Sequence, residues 1–473
     1  MTAARLHALA TVFVLASAAC SAPPSDASAR PDVLDARRRA EYDHAYAVGV
    51  QAVVYGWAPV MIDVARELQT SVDAPHDNGQ APLNRLGPIT RLWDHRDRSY
   101  ATPNNDTLYL QGWADLAEEP LVLFVPEIVD RYWIMQILDM YTESVVDLCT
   151  ATVGTGGGYF AISMRGAAGS VPDGVPVFES STRYVWLAGR LGVTGPEDVP
   201  AARDVQSRFR LMGLAGYPDG GEQPEPAQAT GAPEVRFPEG VAWFDRLDAV
   251  LRANPLIADG PLTRQFEFIG VGVGGVEGLG EMRRSALEEA YRDGLAIVVD
   301  AAKYSDTPIN GWNWEFDAGR YGTDYLQRAA VNMNSVGLNS PERAMYPKRY
   351  VDDRGDLFDG ANAYTVTLPQ PMPVRVKDGG FWSLTMYDDV DRFMVENPIG
   401  RYKIGSMTEG LVLDDDGSLT LHISHGEPGD PKARSNWLPA PDGAFMLQLR
   451  LYEPEGAVVQ GEFVLPEVYR ATD

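Results

Sequence analysis

Cysteine and histidine are scarce in this sequence, which contains two cysteines and six histidines among 473 residues. His422 and His425 are three residues apart in a predicted strand, so their side chains face opposite sides, and no CxxC motif is present. Cys149 lies in an apolar run, which favours a buried, inert thiol over a nucleophile. If Cys20 is lipidated or removed, no intrachain disulfide can form. We therefore expect no metal site and no cofactor.

Positive charge is also in short supply, because 40 Lys and Arg residues face 66 Asp and Glu residues and the net charge is −26. Such a surface repels phosphate backbones, so we expect no nucleic-acid partner. The sequence lacks G-x-S-x-G and Ser-x-x-Lys motifs, which argues against the common designs of serine hydrolases. Residues 270–280 are glycine-rich but lack the Lys-Ser/Thr ending of a P-loop, which favours a loop over a phosphate site.

The N-terminus has the pattern of an export signal. Residues 1–20 contain Arg5 and an apolar core from Ala8 to Ala19 that is too short to span a membrane. Cys20 follows Ser17-Ala18-Ala19, which resembles a lipoprotein box except that Ser17 stands where an aliphatic residue is usual. Either Cys20 is lipidated or the protein is simply secreted. Both alternatives place it outside the cytoplasm, in the bacterial envelope or secreted, with membrane contact only through a lipid anchor.

Glycine and proline are abundant, with 46 and 34 residues, which indicates many turns and a β-rich fold. Residues 21–35 form a flexible tether rich in Ser, Ala and Pro. Residues 40–68 have apolar side chains at helical spacing, and strand-like alternation begins at residue 107 and returns from residue 363. Further helices are predicted at 197–212, 240–253, 281–304 and 324–336.

These patterns predict an α+β fold that is mainly β. A long N-terminal helix and a first β-sandwich module occupy residues 36–215, a linker and helical insert 216–340, and a second β-sandwich module 341–473. We refer to the two sandwiches as the first and second modules.

The two modules contain similar stretches, WIMQILD from Trp133 and WSLTMYD from Trp382. Each has an Asp six residues after its Trp, and in a strand such residues share a face. Asp139 and Asp388 should therefore lie on the same side as Trp133 and Trp382. The resulting candidates could form ion pairs that only stabilise the fold, or line a ligand pocket; they are Arg131, Trp133, Asp139, Tyr141, Trp382, Asp388, Arg392, Asn397, Arg401 and Tyr402.

The stretch TPNNDTLY also allows two interpretations. Asn104-Asn105-Asp106 can form an Asx turn that starts a strand, or Asn105 and Asp106 can offer polar groups to a ligand, with Tyr109 beside them. Asp106 and Asp139 could act together as a general acid and base if burial raised one pKa. Trp437, in a Pro-rich aromatic turn, is a further candidate for ligand binding.

TPNNDTLY and EPLVLFVPEIVDRYWIMQILDMYT resemble the domain of unknown function 1254. FWSLTMYDDVDRFMVENPIGRYKIG and NWLPAPDGAFMLQLRLYEP resemble the domain of unknown function 1214. The resemblance implies a bacterial envelope or secreted protein with two jelly-roll-like β-sandwich modules and helices between them. It implies no particular reaction.

Two functions fit these observations. The protein could be a cofactor-independent enzyme acting on a small or sugar-like molecule, or a non-catalytic envelope module that binds a glycan or a protein. An enzyme should have a closed pocket containing a carboxylate with a strongly shifted pKa. A binding module should instead have an open aromatic strip.

Overall fold

A computed structural model describes the chain over residues 36–98, 102–167, 171–219, 226–229, 236–304 and 306–471. The export signal at 1–20, including Cys20, and the tether at 21–35 lie outside the described residues.

Two antiparallel-rich sheets form the first module. Sheet I has the strand order β1-β2-β8-β4-β5, and sheet II has the order β7-β6-β3-β9 with β6 and β7 parallel. The strands of sheet I are β1 Leu86–Pro88, β2 Thr107–Asp115, β4 Trp133–Asp139, β5 Ser144–Cys149 and β8 Tyr184–Gly192. The strands of sheet II are β3 Leu121–Val125, β6 Gly158–Met164, β7 Val177–Ser180 and β9 Arg210–Gly213.

Two further sheets form the second module. Sheet III has the order β10-β11-β13-β19-β15-β16, with β12 also paired to β19, and sheet IV has the order β18-β17-β14-β20. The strands of sheet III are β10 Thr307–Ile309, β11 Trp312–Trp314, β12 Ala344–Met345, β13 Lys348–Arg349, β15 Trp382–Asp388, β16 Lys403–Gly405 and β19 Phe445–Tyr452. The strands of sheet IV are β14 Tyr364–Leu368, β17 Leu419–Ser424, β18 Trp437–Pro439 and β20 Tyr469–Arg470.

Each pair of sheets encloses its own hydrophobic core, because apolar side chains alternate along the strands. In the first module Trp133, Met135 and Ile137 of β4 enter a core shared with β3, β6 and β9. In the second, Leu447, Leu449 and Leu451 of β19 enter a core shared with β14 and β17. The residues between them on β4 and β19 therefore point to the opposite faces, which face away from the sandwich cores.

Helices pack on the outer face of sheet I. The α-helices are α1 Ala36–Thr70, α2 Thr150–Val153, α3 Val199–Gln206, α4 Val241–Ala253, α5 Gly260–Phe266, α6 Glu281–Tyr304, α7 Tyr325–Asn334, α8 Pro431–Ser435 and α9 Gly456–Val459. α1, α4 and α6 share one hydrophobic cluster with Trp113, Leu138 and Trp186 of sheet I. This cluster covers one end of the sheet and leaves the other end for the second module.

α1 is long and apolar enough to cross a membrane, but 78% of its most apolar window is buried inside the protein. Glycines allow its close packing: a Cβ at Gly49 would overlap Ala290 and Leu287 of α6. The burial is that of a core helix, which matches the predicted helix at 40–68.

The mixed α+β fold, built mainly of sheets, is confirmed, and the jelly-roll layout stays a prediction. The helices predicted at 240–253 and 281–304 are present. The helix predicted at 197–212 is shorter, because Arg210–Gly213 pairs with β3 as a strand. Strands β10 and β11 belong to sheet III, although they lie within the range assigned to the helical insert.

Candidate ligand site between the two modules

The outer face of sheet I meets the outer face of sheet III, and both carry polar side chains there. On β15, Trp382, Leu384 and Met386 enter the sandwich core. The alternate residues point to the first module: the Ser383 hydroxyl donates to Asp106 (2.6 Å), and the Tyr387 hydroxyl donates to the Pro103 carbonyl (2.6 Å). The residues of β15 whose side chains point away from the sandwich core therefore form the contacts with the first module.

A cavity of about 110 Å³ lies in this interface. Such a volume has room for several water molecules or a small organic molecule. Its walls come from α1, Trp93, residues 102–104, strands β2, β8 and β19, the end of α7 with the segment after it, and Tyr346. Its lining residues are Ala65, Gln69, Trp93, Thr102, Pro103, Asn104, Tyr109, Gln111, Trp186, Ala188, Arg190, Asn334, Ser335, Val336, Leu338, Tyr346, Gln448 and Arg450.

Arg190 and Arg450 are the charged residues among the described residues that line the cavity. Arg450 is 3% exposed and donates to Thr385 Oγ1 (2.8 Å), the Tyr387 hydroxyl (2.6 Å) and the Thr102 carbonyl (3.0 Å). All three acceptors are neutral. A buried cation that lacks an acidic partner is costly, which suggests that its charge has a use.

Arg190 has the same kind of surroundings. It donates to the Tyr346 hydroxyl (2.8 Å), to Asn339 Oδ1 and to the Gly337 carbonyl (3.4 Å). Across the described part of the chain, neither Arg190 nor Arg450 forms an ion pair with a carboxylate. Two guanidinium groups, one from each module, thus face a common cavity without a carboxylate in direct contact, although Asp106 acts on Arg450 electrostatically over a longer distance.

Asp106 lies beside this cavity, and Lys403 neutralises its negative charge. Its Oδ1 is 2.7 Å from Lys403 Nζ, and its Oδ2 accepts from Ser383 (2.6 Å) and Tyr452 (3.4 Å). The Asp106 side chain is 1% exposed. Counting Asp106, Lys403, Arg190 and Arg450 together leaves two positive charges in excess around the cavity.

The stretch TPNNDTLY holds the modules together and lines the cavity. Asn104 Oδ1 accepts from the Asp106 backbone N–H, which is the predicted Asx turn. The Asn104 amide also donates to the Tyr452 hydroxyl (2.7 Å) in the second module. Asn105 turns away from the cavity and donates to the Trp93 carbonyl. This stretch therefore starts β2 and lines the cavity through Thr102, Pro103, Asn104 and Tyr109, whereas Asn105 and Asp106, which were expected to offer polar groups to a ligand, do not line it.

Tyrosine hydroxyls surround the two arginines. The Arg190 guanidinium carbon lies 5.7 Å from the centre of the Tyr109 ring. Burial raises the pKa of Tyr109 and of Tyr346, against the effect of both arginines, so these hydroxyls stay protonated at neutral pH. Burial also raises the pKa of Tyr387 to about 12. The site consists of cations and neutral donors.

Several predicted site residues lie elsewhere. Arg131 pairs with Asp198 through two contacts of 3.1 Å, which ties β4 to the start of α3. Trp133 and Trp382 are buried in the two sandwich cores, as their strand position dictates. The Trp437 indole is buried and donates to the Ser424 carbonyl (2.9 Å). The expected aromatic wall is therefore inside the cores.

The predicted group after Trp382 shapes a turn. Asp388 accepts from the backbone N–H groups of Asp391 (2.6 Å) and Phe393 (3.0 Å). The Asn397 side-chain amide donates to the Arg401 carbonyl and accepts from the Arg401 backbone N–H, and the Arg401 guanidinium donates to the Trp437 carbonyl (2.8 Å). Burial lowers the pKa of Arg401. Nearby, Arg392 donates to Asn334 (3.3 Å) and the Tyr402 hydroxyl bonds His95 (2.6 Å).

Asp139 and Asp106 do not meet. Asp139 pairs with Val185 at one end of β8, whereas the Asp106 carbonyl accepts from Val193 beyond its other end. Val185 and Val193 are about 26 Å apart along an extended strand. A shared acid–base pair is excluded by this separation.

Asp139 belongs instead to a buried turn. Burial raises its pKa to about 7, and it accepts from the backbone N–H groups of Tyr141 (2.8 Å) and Glu143 (3.0 Å). Tyr141 is buried beside Arg328, whose guanidinium carbon lies 5.1 Å from the ring centres of Tyr55 and Tyr141. This cluster joins sheet I to the helices.

Sequence reasoning missed Arg190, Arg450, Gln448 and Lys403. A signal was present in FMLQLRLY, where Gln448 and Arg450 interrupt an apolar strand at alternate positions. Such a pattern indicates a strand with one face in a core and one face in a polar interface. Gln448 is 2% exposed, lines the cavity and has no partner for its Oε1.

Two other predicted features have simple structural accounts. In the glycine-rich loop, Gly272 and Gly274 donate their N–H groups to Asp248 Oδ1 (2.8 and 3.0 Å), so a carboxylate already occupies the donors that a phosphate would need. In the described ranges, no three His, Cys, Asp or Glu side chains are arranged to hold a metal ion.

Two family models match the chain. "Protein of unknown function (DUF1254)" matches residues 83–213, and "Protein of unknown function (DUF1214)" matches residues 343–456. The chain therefore pairs a DUF1254 domain with a DUF1214 domain. Arg190 and Asp106 lie in the DUF1254 domain, and Arg450 and Lys403 lie in the DUF1214 domain, so the cavity needs both.

Solved structures resemble the DUF1254–DUF1214 chain along most of its length. The crystal structure of the VPA0106 protein from Vibrio parahaemolyticus has a TM-score of 0.68 and 26% sequence identity, covering 90% of this chain and 100% of that one. An uncharacterized protein from Burkholderia cenocepacia has a TM-score of 0.43 and 12% identity, covering 92% of this chain and 97% of that one. No curated protein matches the chain.

Proposed function

We propose that this protein binds a small organic anion in the cavity between its DUF1254 and DUF1214 domains. One observation carries the proposal: in a protein of net charge −26, the charged residues that the structure places in the cavity wall are two arginines without a carboxylate in contact, and the nearby Asp106 is paired with Lys403. A carboxylate or phosphate would supply the missing counter-charge and accept hydrogen bonds from the guanidinium groups.

Neutral donors around the arginines support the same conclusion. Tyr109 keeps its proton at neutral pH, because burial raises its pKa, and can donate to an anion. The Tyr346 hydroxyl instead donates to Asn339 Oδ1 (2.5 Å) and accepts from Arg190, so it orients that guanidinium group. Asp139, a carboxylate whose pKa burial raises to about 7, does not line the cavity and pairs with Val185, five residues along β8 from Arg190. The geometry therefore supports binding better than acid–base catalysis by that group.

The test is a binding titration by calorimetry with benzoate, inorganic phosphate and neutral benzamide. Benzoate or phosphate should bind and benzamide should bind at least about tenfold more weakly, a difference of ~1.4 kcal/mol. Arg450→Gln and Arg190→Gln should each weaken anion binding at least about tenfold, because the anion then loses a charged donor. Preference for benzoate over phosphate would identify the carboxylate class, and the reverse would identify the phosphate class.

Arg208→Gln is the matched control. Arg208 is 53% exposed and pairs with Asp204 on α3, so its loss should leave anion binding unchanged. Arg450→Lys keeps the charge but loses the planar fork, and should fall between wild type and Arg450→Gln. If the variants do not fold, the affinities of the wild-type protein for benzoate, phosphate and benzamide still test whether it binds anions. Binding of benzamide equal to that of both anions would overturn the proposal.

The proposal includes export from the cytoplasm, supported by the signal pattern at residues 1–20. Mass spectrometry of the N-terminus of the native protein tests it. A diacylglyceryl group on Cys20 identifies a lipoprotein, and an unmodified N-terminus just after the apolar core identifies plain secretion. A chain that retains residues 1–20 in the cytoplasmic fraction would contradict export.

A further inference from the structure

The side of the cavity formed by sheet I carries different types of side chain along the length of strands β2 and β8. Antiparallel pairing places Tyr109 opposite Arg190, Gln111 opposite Ala188, and Trp113 opposite Trp186. Side chains two residues apart on a strand share a face, so these three pairs form three successive rows on the side that faces the cavity. The rows run from cationic, through small and polar, to aromatic.

The third strand, β4, continues the rows. Its residues Ile134, Gln136 and Leu138 pair with Arg190, Ala188 and Trp186 in turn. At the aromatic end, Trp186 stacks on Trp113 with ring centres 5.8 Å apart and planes at 9°. Arg190 and Trp186 are four residues apart, or about 13 Å along the strand.

The residues that line the cavity from outside sheet I follow the same change from charged to apolar. Val336, which follows α7 and lines the cavity, packs in the same hydrophobic cluster as Trp186. This end is mainly apolar, and its polar lining group is the Gln69 amide of α1, which accepts from the Trp113 indole (2.7 Å). Arg450 lies at the opposite end, since it and Arg190 act electrostatically on the same tyrosines, Tyr109 and Tyr346. The cavity is thus charged at one end and apolar at the other.

The small side chain of Ala188 leaves open space in the middle of the cavity, between Arg190 and Trp186. It is the central residue of β8 between Arg190 and Trp186, it lines the cavity, and its side chain is a single methyl group. A larger side chain there would fill the space between the cationic row and the aromatic row. Ala188 therefore controls how far a ligand can extend from the arginines.

We propose that the ligand is an amphipathic monoanion, with its carboxylate at Arg190 and Arg450 and an apolar body that lies over Ala188 toward Trp186. This inference rests on the proposed function and specifies its ligand class. A second negative charge would lie far from both charged lining residues, and a row of hydroxyl groups would lie against the Ala188 methyl group and the Trp186 ring, where it would lose much of its hydration. A sugar acid or a dicarboxylate is therefore a poorer fit.

The experiment is a calorimetric series on the wild-type protein with acetate, butanoate, hexanoate, succinate and gluconate. Affinity should rise about fourfold per added methylene from acetate to hexanoate, because each buried methylene leaves water. Succinate and gluconate should bind at least about tenfold more weakly than hexanoate. Ala188→Leu should bring hexanoate binding down to the level of acetate binding measured in the same variant.

Arg208→Gln is the control, since Arg208 is 53% exposed and does not line the cavity, and this variant should keep the dependence on chain length. Equal affinity for acetate, butanoate and hexanoate, or tighter binding of gluconate than of hexanoate, would overturn the inference while leaving anion binding intact. Absence of binding for every anion, phosphate and benzoate included, would instead remove the proposed function. If Ala188→Leu fails to fold, the affinities of the wild-type protein for the five anions are sufficient to test the inference.

Discussion

Asp106 and Lys403 form an ion pair across the boundary between the two domains, with Asp106 Oδ1 2.7 Å from Lys403 Nζ. Their side chains are 1% and 14% exposed. Asp106 also accepts from Ser383 of the second module, so three groups fix the position of β2 against β15 and β16. The cavity walls are held in register by this junction, because Asn104 and Tyr109 flank Asp106 in the sequence.

Lys403→Met should destabilise the protein by about 3–5 kcal/mol, because it leaves a buried carboxylate without its cation. The double variant with Asp106→Asn should recover part of this loss, since neither charge then remains. Urea unfolding measures both effects. Lys432→Met, which breaks an exposed pair with Asp414, should cost less than about 1 kcal/mol. Strictly additive effects of Lys403→Met and Asp106→Asn would show that the two residues do not interact.

Much of the fold was predictable from periodicity. The alternation in WIMQILD and WSLTMYD correctly predicted strands, which are β4 and β15. It did not reveal which face of each strand was the core. Trp133 and Trp382 are the largest side chains and enter the sandwich cores, so the faces that carry the tryptophans could not also carry the site.

The site itself depended on contacts between residues far apart in the sequence. Arg190 and Arg450 come from different domains, and no local spacing relates them. Asp106 contacts the second module, whereas Asp139 lies in a turn far along β8, because antiparallel pairing with β8 separates the two residues. A search for charged residues at alternate positions of apolar strands would have found Arg450.

Asp139→Asn should change how stability depends on pH. Burial raises the pKa of Asp139 to about 7, whereas an unfolded Asp titrates near about 3.9. Between these values the folded protein holds a proton that the unfolded chain has lost, so the free energy of unfolding falls as pH rises. The slope from this group is at most about 1.4 kcal/mol per pH unit.

Urea unfolding at pH 4.5, 6.0 and 7.5 measures this effect as the difference between wild type and Asp139→Asn. The asparagine keeps an acceptor for the Tyr141 and Glu143 backbone N–H groups and never ionises. Wild type should lose stability relative to the variant up to about pH 7 and not beyond. Asp204→Asn, at an exposed pair, should give no such trend. Parallel curves for wild type and Asp139→Asn would mean that Asp139 is ionised throughout.

Gly337→Ala should damage the apolar end of the cavity. A Cβ at Gly337 would overlap the Trp186 ring, and its φ of 68° is unfavourable for alanine. We expect a loss of about 1–3 kcal/mol and weaker hexanoate binding, because Trp186 must move. Gly355→Ala, with φ 84° and open space around it, isolates the backbone effect and should leave binding unchanged. Unchanged hexanoate affinity in Gly337→Ala would contradict the role of Trp186.

Asp248→Ala should loosen the glycine-rich loop. Asp248 is 2% exposed and accepts from Gly272 and Gly274, so its loss leaves two backbone donors without a partner. We expect the free energy of unfolding to fall by about 1–3 kcal/mol and proteolysis within residues 270–280 to become faster. Mass spectrometry of the fragments measures the rate of cleavage at these residues. Asp204→Ala serves as the surface control. Equal cleavage rates in both variants would show that Asp248 does not order the loop.

A crystal structure of the complex with 4-iodobenzoate tests the central claim most directly, because anomalous scattering locates the iodine independently of the rest of the ligand. The account predicts the carboxylate within hydrogen-bond distance of Arg190 and Arg450, with the iodine over Ala188 toward Trp186. Iodine bound elsewhere on the protein, with the space between the two arginines free of ligand at saturating concentration, would contradict it.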